Sequence, residues 1–188
     1  MKKLLIAIII ILTFNSCTDH TKSAMENNYF DLSKFLNNEL VILNERPLSV
    51  LKTAIVNGQS EQHRYLSINW KRELESFFSA DIHTNSFNKK YLVDTTFIST
   101  DSSKTTVLRY IANDEELKTR VLEIHFNKDG NVEMIKAELY SKNFIANLSE
   151  SLIYKPGKFY SITNHEESDW FGTDEFIIEG QISKNPIN

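Results

Sequence analysis

From Tyr91 to Ile182 the chain is written in a period of two, and nothing else in it constrains the fold as strongly. Tyr91, Val93, Thr95 and Phe97 alternate with Leu92, Asp94, Thr96 and Ile98. Thr105 to Ala112 follows after the polar turn Thr100-Asp101-Ser102-Ser103. Leu122, Ile124 and Phe126 then share one face, with Val121, Glu123 and His125 on the other. Asn127-Lys128-Asp129-Gly130-Asn131 turns the chain into Val132 to Tyr140. Phe144 to Tyr154, Phe159 to Asn164 and Glu175 to Ile182 complete the series. Strands joined by short polar turns pair with their sequence neighbours, so the segment reads as an antiparallel meander.

Two amphipathic segments precede it. Leu32, Phe35, Leu36, Leu40 and Leu43 fall at helical spacing, Asn28 or Asp31 is placed to cap, and Pro47 stops the helix. Leu48 to Val56 and Glu61 to Ile68 flank Asn57-Gly58, a pair that supplies the positive φ angles of a tight hairpin. Asn69 then opens a second helix, with Trp70, Leu74, Phe77 and Phe78 on one face. The expected fold is α+β: a curled antiparallel β-meander of about seven to nine strands, with two helices packed on its inner face.

The start of the chain is an address. Lys2 and Lys3 precede an apolar run from Leu4 to Phe14, interrupted only by Thr13, and small Ser16 leads into Cys17. That pattern is a secretory signal, and its apolar run is shorter than the ~20 residues of a membrane-spanning helix. Phe14-Asn15-Ser16-Cys17 resembles the lipobox of bacterial lipoprotein precursors: Ser16 and Cys17 match it, while Phe14 and Asn15 depart from it. The resemblance implies residues 1–16 as signal peptide, Cys17 as the acylated residue and residues 17–28 as a lipid-anchored flexible tether. Residues 29–188 then form a single α+β domain. Cys17 is also the only cysteine, and an acylated thiol is no liability in an exported protein. Thr18 stands where some lipoproteins carry Asp, which by the same resemblance implies the outer membrane of the bacterial cell envelope.

Composition narrows the partners. A 41% hydrophobic and 11% aromatic share supports a packed globule. Losing Lys2 and Lys3 with the signal takes the formal charge from −4 to −6. A mildly acidic domain is not expected to bind nucleic acid or to dock electrostatically on anionic lipid. The membrane is therefore expected as a partner through the N-terminal acyl chains.

Motifs that carry chemistry are sparse. Asn127 to Asn131 has alternating oxygen side chains, but its Gly comes too early for a calcium loop. Ser49-Val50-Leu51-Lys52 and Ser86-Phe87-Asn88-Lys89 have serine–lysine spacing without the partner motifs. His165-Glu166-Glu167-Ser168-Asp169 reads as an exposed acidic loop, and the five histidines show no metal-ligand spacing. Glu123 and His125, two apart on one strand face, are the best acid/base pair. No catalytic residue, metal ligand or cofactor follows from these residues.

Two functions fit. The first is a non-catalytic, lipid-anchored binding module that meets an envelope protein or polymer. The second is a carrier or chaperone for an apolar ligand or lipoprotein in a half-barrel cavity, lined by Trp70, Phe77, Phe78, Phe126 and Phe176. In the order of its helices and strands alone, the chain is similar to the lipoprotein-carrier half-barrels of the Lol system. A hydrolase has no constellation to support it.

Overall fold

The computed structural model describes residues 29–87, 89–99, 104–168, 170 and 172–185. Cys17 and the tether lie outside them. The described chain is an α+β fold built on one nine-stranded antiparallel sheet, curled and not closed, in the order β2-β1-β9-β8-β7-β6-β5-β4-β3. The strands are β1 Leu48–Val56, β2 Gln59–Tyr65, β3 Tyr91–Ser99, β4 Lys104–Ala112, β5 Thr119–Phe126, β6 Val132–Lys142, β7 Ala146–Lys155, β8 Phe159–Ser168 and β9 Gly172–Lys184. From β3 to β9 every strand pairs with its successor, as period and turns require. The β1–β2 hairpin then attaches to β9 in antiparallel register, Val50 opposite Ile182 and Lys52 opposite Gly180. The β5–β6 ladder shifts register twice, between Thr119 and Val121 and between His125 and Phe126, so an extra residue stands on β5 at one end and on β6 at the other.

Helix α1 (Leu32–Asn44) starts at Asp31, whose carboxylate accepts the Lys34 N–H at 2.8 Å. Its buried stripe is Leu32, Leu36, Glu39 and Leu43. Asn69 caps the next helix as expected, accepting the Arg72 N–H at 3.2 Å. That helix does not continue as one piece: Leu74 (φ −100°, ψ 9°) divides it into α2 (Trp70–Glu73) and α3 (Glu75–Ser79). Three short helices, not two, therefore lie on the concave face. The break still turns Trp70, Leu74 and Phe77 into the same core.

The core joins these helices to the inward side chains of the sheet, among them Tyr110, Leu122, Ile124, Ile135, Leu139, Leu152, Tyr154 and Tyr160. Glu123 and His125 face away, as the alternation implies. Several boundaries differ from expectation, and β2 runs Gln59–Tyr65 instead of Glu61–Ile68. His165 to Ser168 are not a loop but the end of β8, paired with Gly172 to Glu175, so β9 starts three residues early. Phe144 lies in the turn before β7 instead of in the strand. Among the described residues no helix is long and apolar enough to cross a membrane.

Candidate functional site: a charged cleft beside Glu73

One transverse row of the sheet carries the polar chemistry. Tyr154 is paired with Tyr160, Tyr160 with Gly180, and Gly180 with Lys52, so all four share the concave face. The turn that sets Tyr154 opposite Tyr160 closes with the Lys158 N–H on the Lys155 carbonyl, with Gly157 at φ 63°. A Cβ on Gly180 would fall 2.1 Å from Cε1 of Tyr160, so the tyrosine ring lies across the bare backbone of β9.

Each tyrosine hydroxyl meets a carboxylate from the helices. Tyr154 donates to Glu39 Oε2 at 2.8 Å, and Tyr160 donates to Glu73 Oε2. The ammonium of Lys52 lies 2.8 Å from Glu73 Oε1 and 2.7 Å from Oε2, and stands 5.4 Å from the centre of the Tyr65 ring. Burial holds the Tyr160 hydroxyl far above the usual tyrosine pKa, helped by the hydrogen bond and charge of Glu73. Burial and the Glu39 carboxylate do the same for Tyr154. Both phenols are therefore neutral donors, and both Glu73 oxygens are occupied. The Lys52 and Glu73 side chains are 25% and 17% exposed, so their pairing is only partly screened by water.

Beside this centre is a cleft of about 390 Å³. Its apolar wall is Val50, Ile68, Ile162 and Ile178; Tyr65, Ser67, Asn69 and Arg72 form the rest of its lining with Lys52 and Glu73. The chain from β2 into α2 builds one side, and β1, β9 and β8 the other. Arg72 is exposed and makes no ion pair among the described residues. It also borders a second depression of about 410 Å³ with Asn69, Lys71, Glu75 and Phe78. With Glu73 matched by Lys52, the cleft keeps the positive charge of Arg72 beside an apolar wall. That combination suits a molecule with an apolar body and one anionic group.

On the opposite face, Glu123 and His125 do meet. His125 Nε2 lies 3.2 Å from Glu123 Oε2, and Arg109 Nε lies 3.2 Å from Oε1 of the same carboxylate. Arg109 is the cross-strand partner of Glu123, so the carboxylate lies between a guanidinium and an imidazole. Ser49 and Lys52 point to opposite faces, Ser49 to Ser183 at 3.0 Å and Lys52 to Glu73, and do not converge. In the Asn127 turn, Oδ1 accepts the N–H groups of Asp129 and Asn131 at 3.0 Å each, which accounts for that oxygen. Among the described residues no group of three or more His, Cys, Asp or Glu is placed to hold a metal ion.

The five aromatic residues considered for a cavity lining are distributed over the molecule. Trp70 and Phe77 are closed into the core. Phe78 is half-buried at the second depression, Phe126 packs on Phe30 with ring centres 6.1 Å apart, and Phe176 is exposed on β9 opposite Val56. They do not surround one space. Sequence reasoning missed Glu39, Glu73, Tyr160 and Arg72, and considered Lys52 only at serine–lysine spacing from Ser49. Two signals were present: a carboxylate on the apolar stripe of α1, and a lone glycine inside the pattern of the last strand, which marks close approach of another group. Comparison of the chain with protein-family models, with curated proteins and with solved structures finds no match.

Proposed function

We propose that this protein is a non-catalytic, lipid-anchored module of the bacterial cell envelope. Acyl chains on Cys17 hold it at the outer membrane, and the cleft beside Arg72 binds a small molecule with an apolar body and one anionic group. The observation that carries the reading is the lining of the cleft: an apolar wall, an unpaired guanidinium, and a lysine and carboxylate that satisfy each other. The helices pack on the concave face with Leu36, Leu43, Trp70, Leu74 and Phe77 in the core, which favours a small ligand over an enclosed protein chain. Neither Lys52 nor Glu73 is free to act as nucleophile or base while the pair is intact, which supports binding over turnover.

Calorimetric titration with dodecanoate, dodecanol and dodecylamine tests the ligand class. Dodecanoate is expected to bind best, and Arg72→Gln to weaken it about tenfold or more while leaving dodecanol unchanged. Equal binding of the amine and the acid, or no binding of any, refutes the cleft assignment. Mass spectrometry of the protein extracted from its own membrane tests the anchor, since an unmodified Cys17 refutes it.

A further inference from the structure

The end of the sheet where the chain enters the domain carries two aromatic side chains that nothing in the fold uses. The β6–β7 and β8–β9 turns are neighbours there, because β7 and β8 pair as far as Ala146 opposite Ser168. Ser168 Oγ donates to the Ile145 carbonyl at 3.1 Å and ties the two turns together. At their tips Phe144 is 94% exposed and Trp170 82%, with Ile145 beside them at 45%. Phe144 is held out by a fixed turn: Asn143 Oδ1 accepts the N–H of Ile145 at 2.8 Å and of Ala146 at 2.9 Å. Two large rings exposed to water mark a surface that meets something apolar.

Where the tether joins the domain identifies the occupant. Tyr29 packs on Tyr91 and Tyr110, with ring centres 5.7 and 5.4 Å apart, and its hydroxyl accepts the Tyr91 N–H at 3.1 Å. Tyr91 opens β3 opposite Ala112, the last residue of β4. In the antiparallel order this is the same end of the sheet as the β6–β7 and β8–β9 turns. Twelve residue steps separate Cys17 from Tyr29, a reach of about 40 Å when fully extended. A bilayer holding Cys17 is therefore within reach of this end of the sheet. The flanks are acidic, with Glu166 opposite Asp174 and Glu167 close by, so anionic headgroups are disfavoured.

We infer that Phe144, Ile145 and Trp170 form a second membrane contact, seating this end of the sheet in the interfacial zone of a zwitterionic bilayer. The inference rests on the lipid anchor proposed above. Tryptophan and phenylalanine rings partition into the headgroup boundary without charge attraction. The anchor raises the local concentration of bilayer so that a weak contact suffices, and the cleft is then presented in a fixed orientation.

The chain's own two tryptophans make the test, because Trp70 is 4% exposed and Trp170 is the accessible one. The acylated full-length protein is reconstituted in phosphatidylcholine vesicles carrying a nitroxide either at the headgroup boundary or deep in the acyl chain. The expected result is a blue-shifted Trp170 emission, quenched at least about twofold more by the shallow label, with the lipid-dependent signal lost in Trp170→Phe. Replacing a third of the lipid by phosphatidylglycerol is expected to reduce the quenching. Emission and iodide access unchanged by vesicles would overturn the inference and leave the tips to a protein partner. So would quenching that survives Trp170→Phe, or quenching that grows with the anionic lipid. Mass analysis of the same sample separates the two readings. An unmodified Cys17 ends the anchor and this contact together; an acylated Cys17 with an unquenched Trp170 ends the contact alone.

Discussion

The ring of Tyr160 occupies the space that a side chain at position 180 would fill. Gly180 is thus the reason the Tyr160 hydroxyl reaches across β9 to Glu73, which in turn holds Lys52. A strand-interior glycine usually weakens a sheet; here it admits the polar centre of the cleft.

Gly180→Ala should therefore destabilise the domain by about 1–3 kcal/mol through overpacking, seen as a lower urea midpoint at unchanged slope. Tyr160→Ala in the same chain should relieve the clash. The double variant is then expected to be more stable than the sum of the single effects, a coupling that a double-mutant cycle reads directly.

Glu39 and Tyr154 form the deeper pair. Tyr154→Phe removes the only hydrogen-bond donor that the described residues place on the Glu39 carboxylate, a residue 9% exposed, and should cost about 1–3 kcal/mol. Adding Glu39→Met takes away the stranded acceptor and should recover much of that loss, because replacing both partners by apolar groups is far milder than orphaning one. Thermal denaturation of the three variants decides it. A double variant as weak as Tyr154→Phe would mean that the hydrogen bond contributes more than its desolvation penalty.

Stability should fall at alkaline pH. Burial pushes the Tyr91 hydroxyl up to about 12, against about 10 for an unfolded tyrosine, and Tyr110, Tyr154 and Tyr160 are raised for the same first cause. Between those values the folded state holds protons that the unfolded state has released. For Tyr91 the contribution is complete below pH 10 and is lost as pH rises through 12; for the other three the loss likewise begins only above pH 10. Melting temperature should be level with respect to these groups up to about pH 10 and then drop, and Tyr91→Phe should make the drop shallower.

Gly58 stands at φ 84° with nothing near its missing side chain, so Gly58→Ala strains the backbone without a clash. The expected loss is about 1 kcal/mol. Because β2 is an exposed edge strand, hydrogen exchange should rise in Gln59–Tyr65 far more than in β7 or β8.

Sequence made local order legible and long-range order not. The meander from β3 to β9 is readable because each turn and each alternating strand states its own pairing, and Asn57-Gly58 states the first hairpin. The pairing of β1 with β9 has no local signature: the two strands are far apart in the chain, and only the finished sheet shows an edge to fill. Period also misplaces ends. His165 to Ser168 are polar because this end of β8 is only partly covered, and polarity alone reads as a loop. The polar centre of the cleft was hidden for a related reason. Lys52, Glu73 and Tyr160 lie on three separate elements, and each by itself has the spacing of an ordinary surface or core residue. Leu74 broke the second helix where apolar spacing alone continued it.

The union of the first and the last strands of the sheet has a consequence for synthesis. In the sheet β1 has β2 on one side and β9 on the other, and β9 is the last of the nine strands to be made. A ribosome releasing this polypeptide therefore delivers its opening hairpin long before the strand that will hold it. Shortening the C-terminus through Gly172 would unseat both ends of the molecule at once, and a nascent chain stalled before that point should be as open to protease at Leu48–Val56 as an unfolded one.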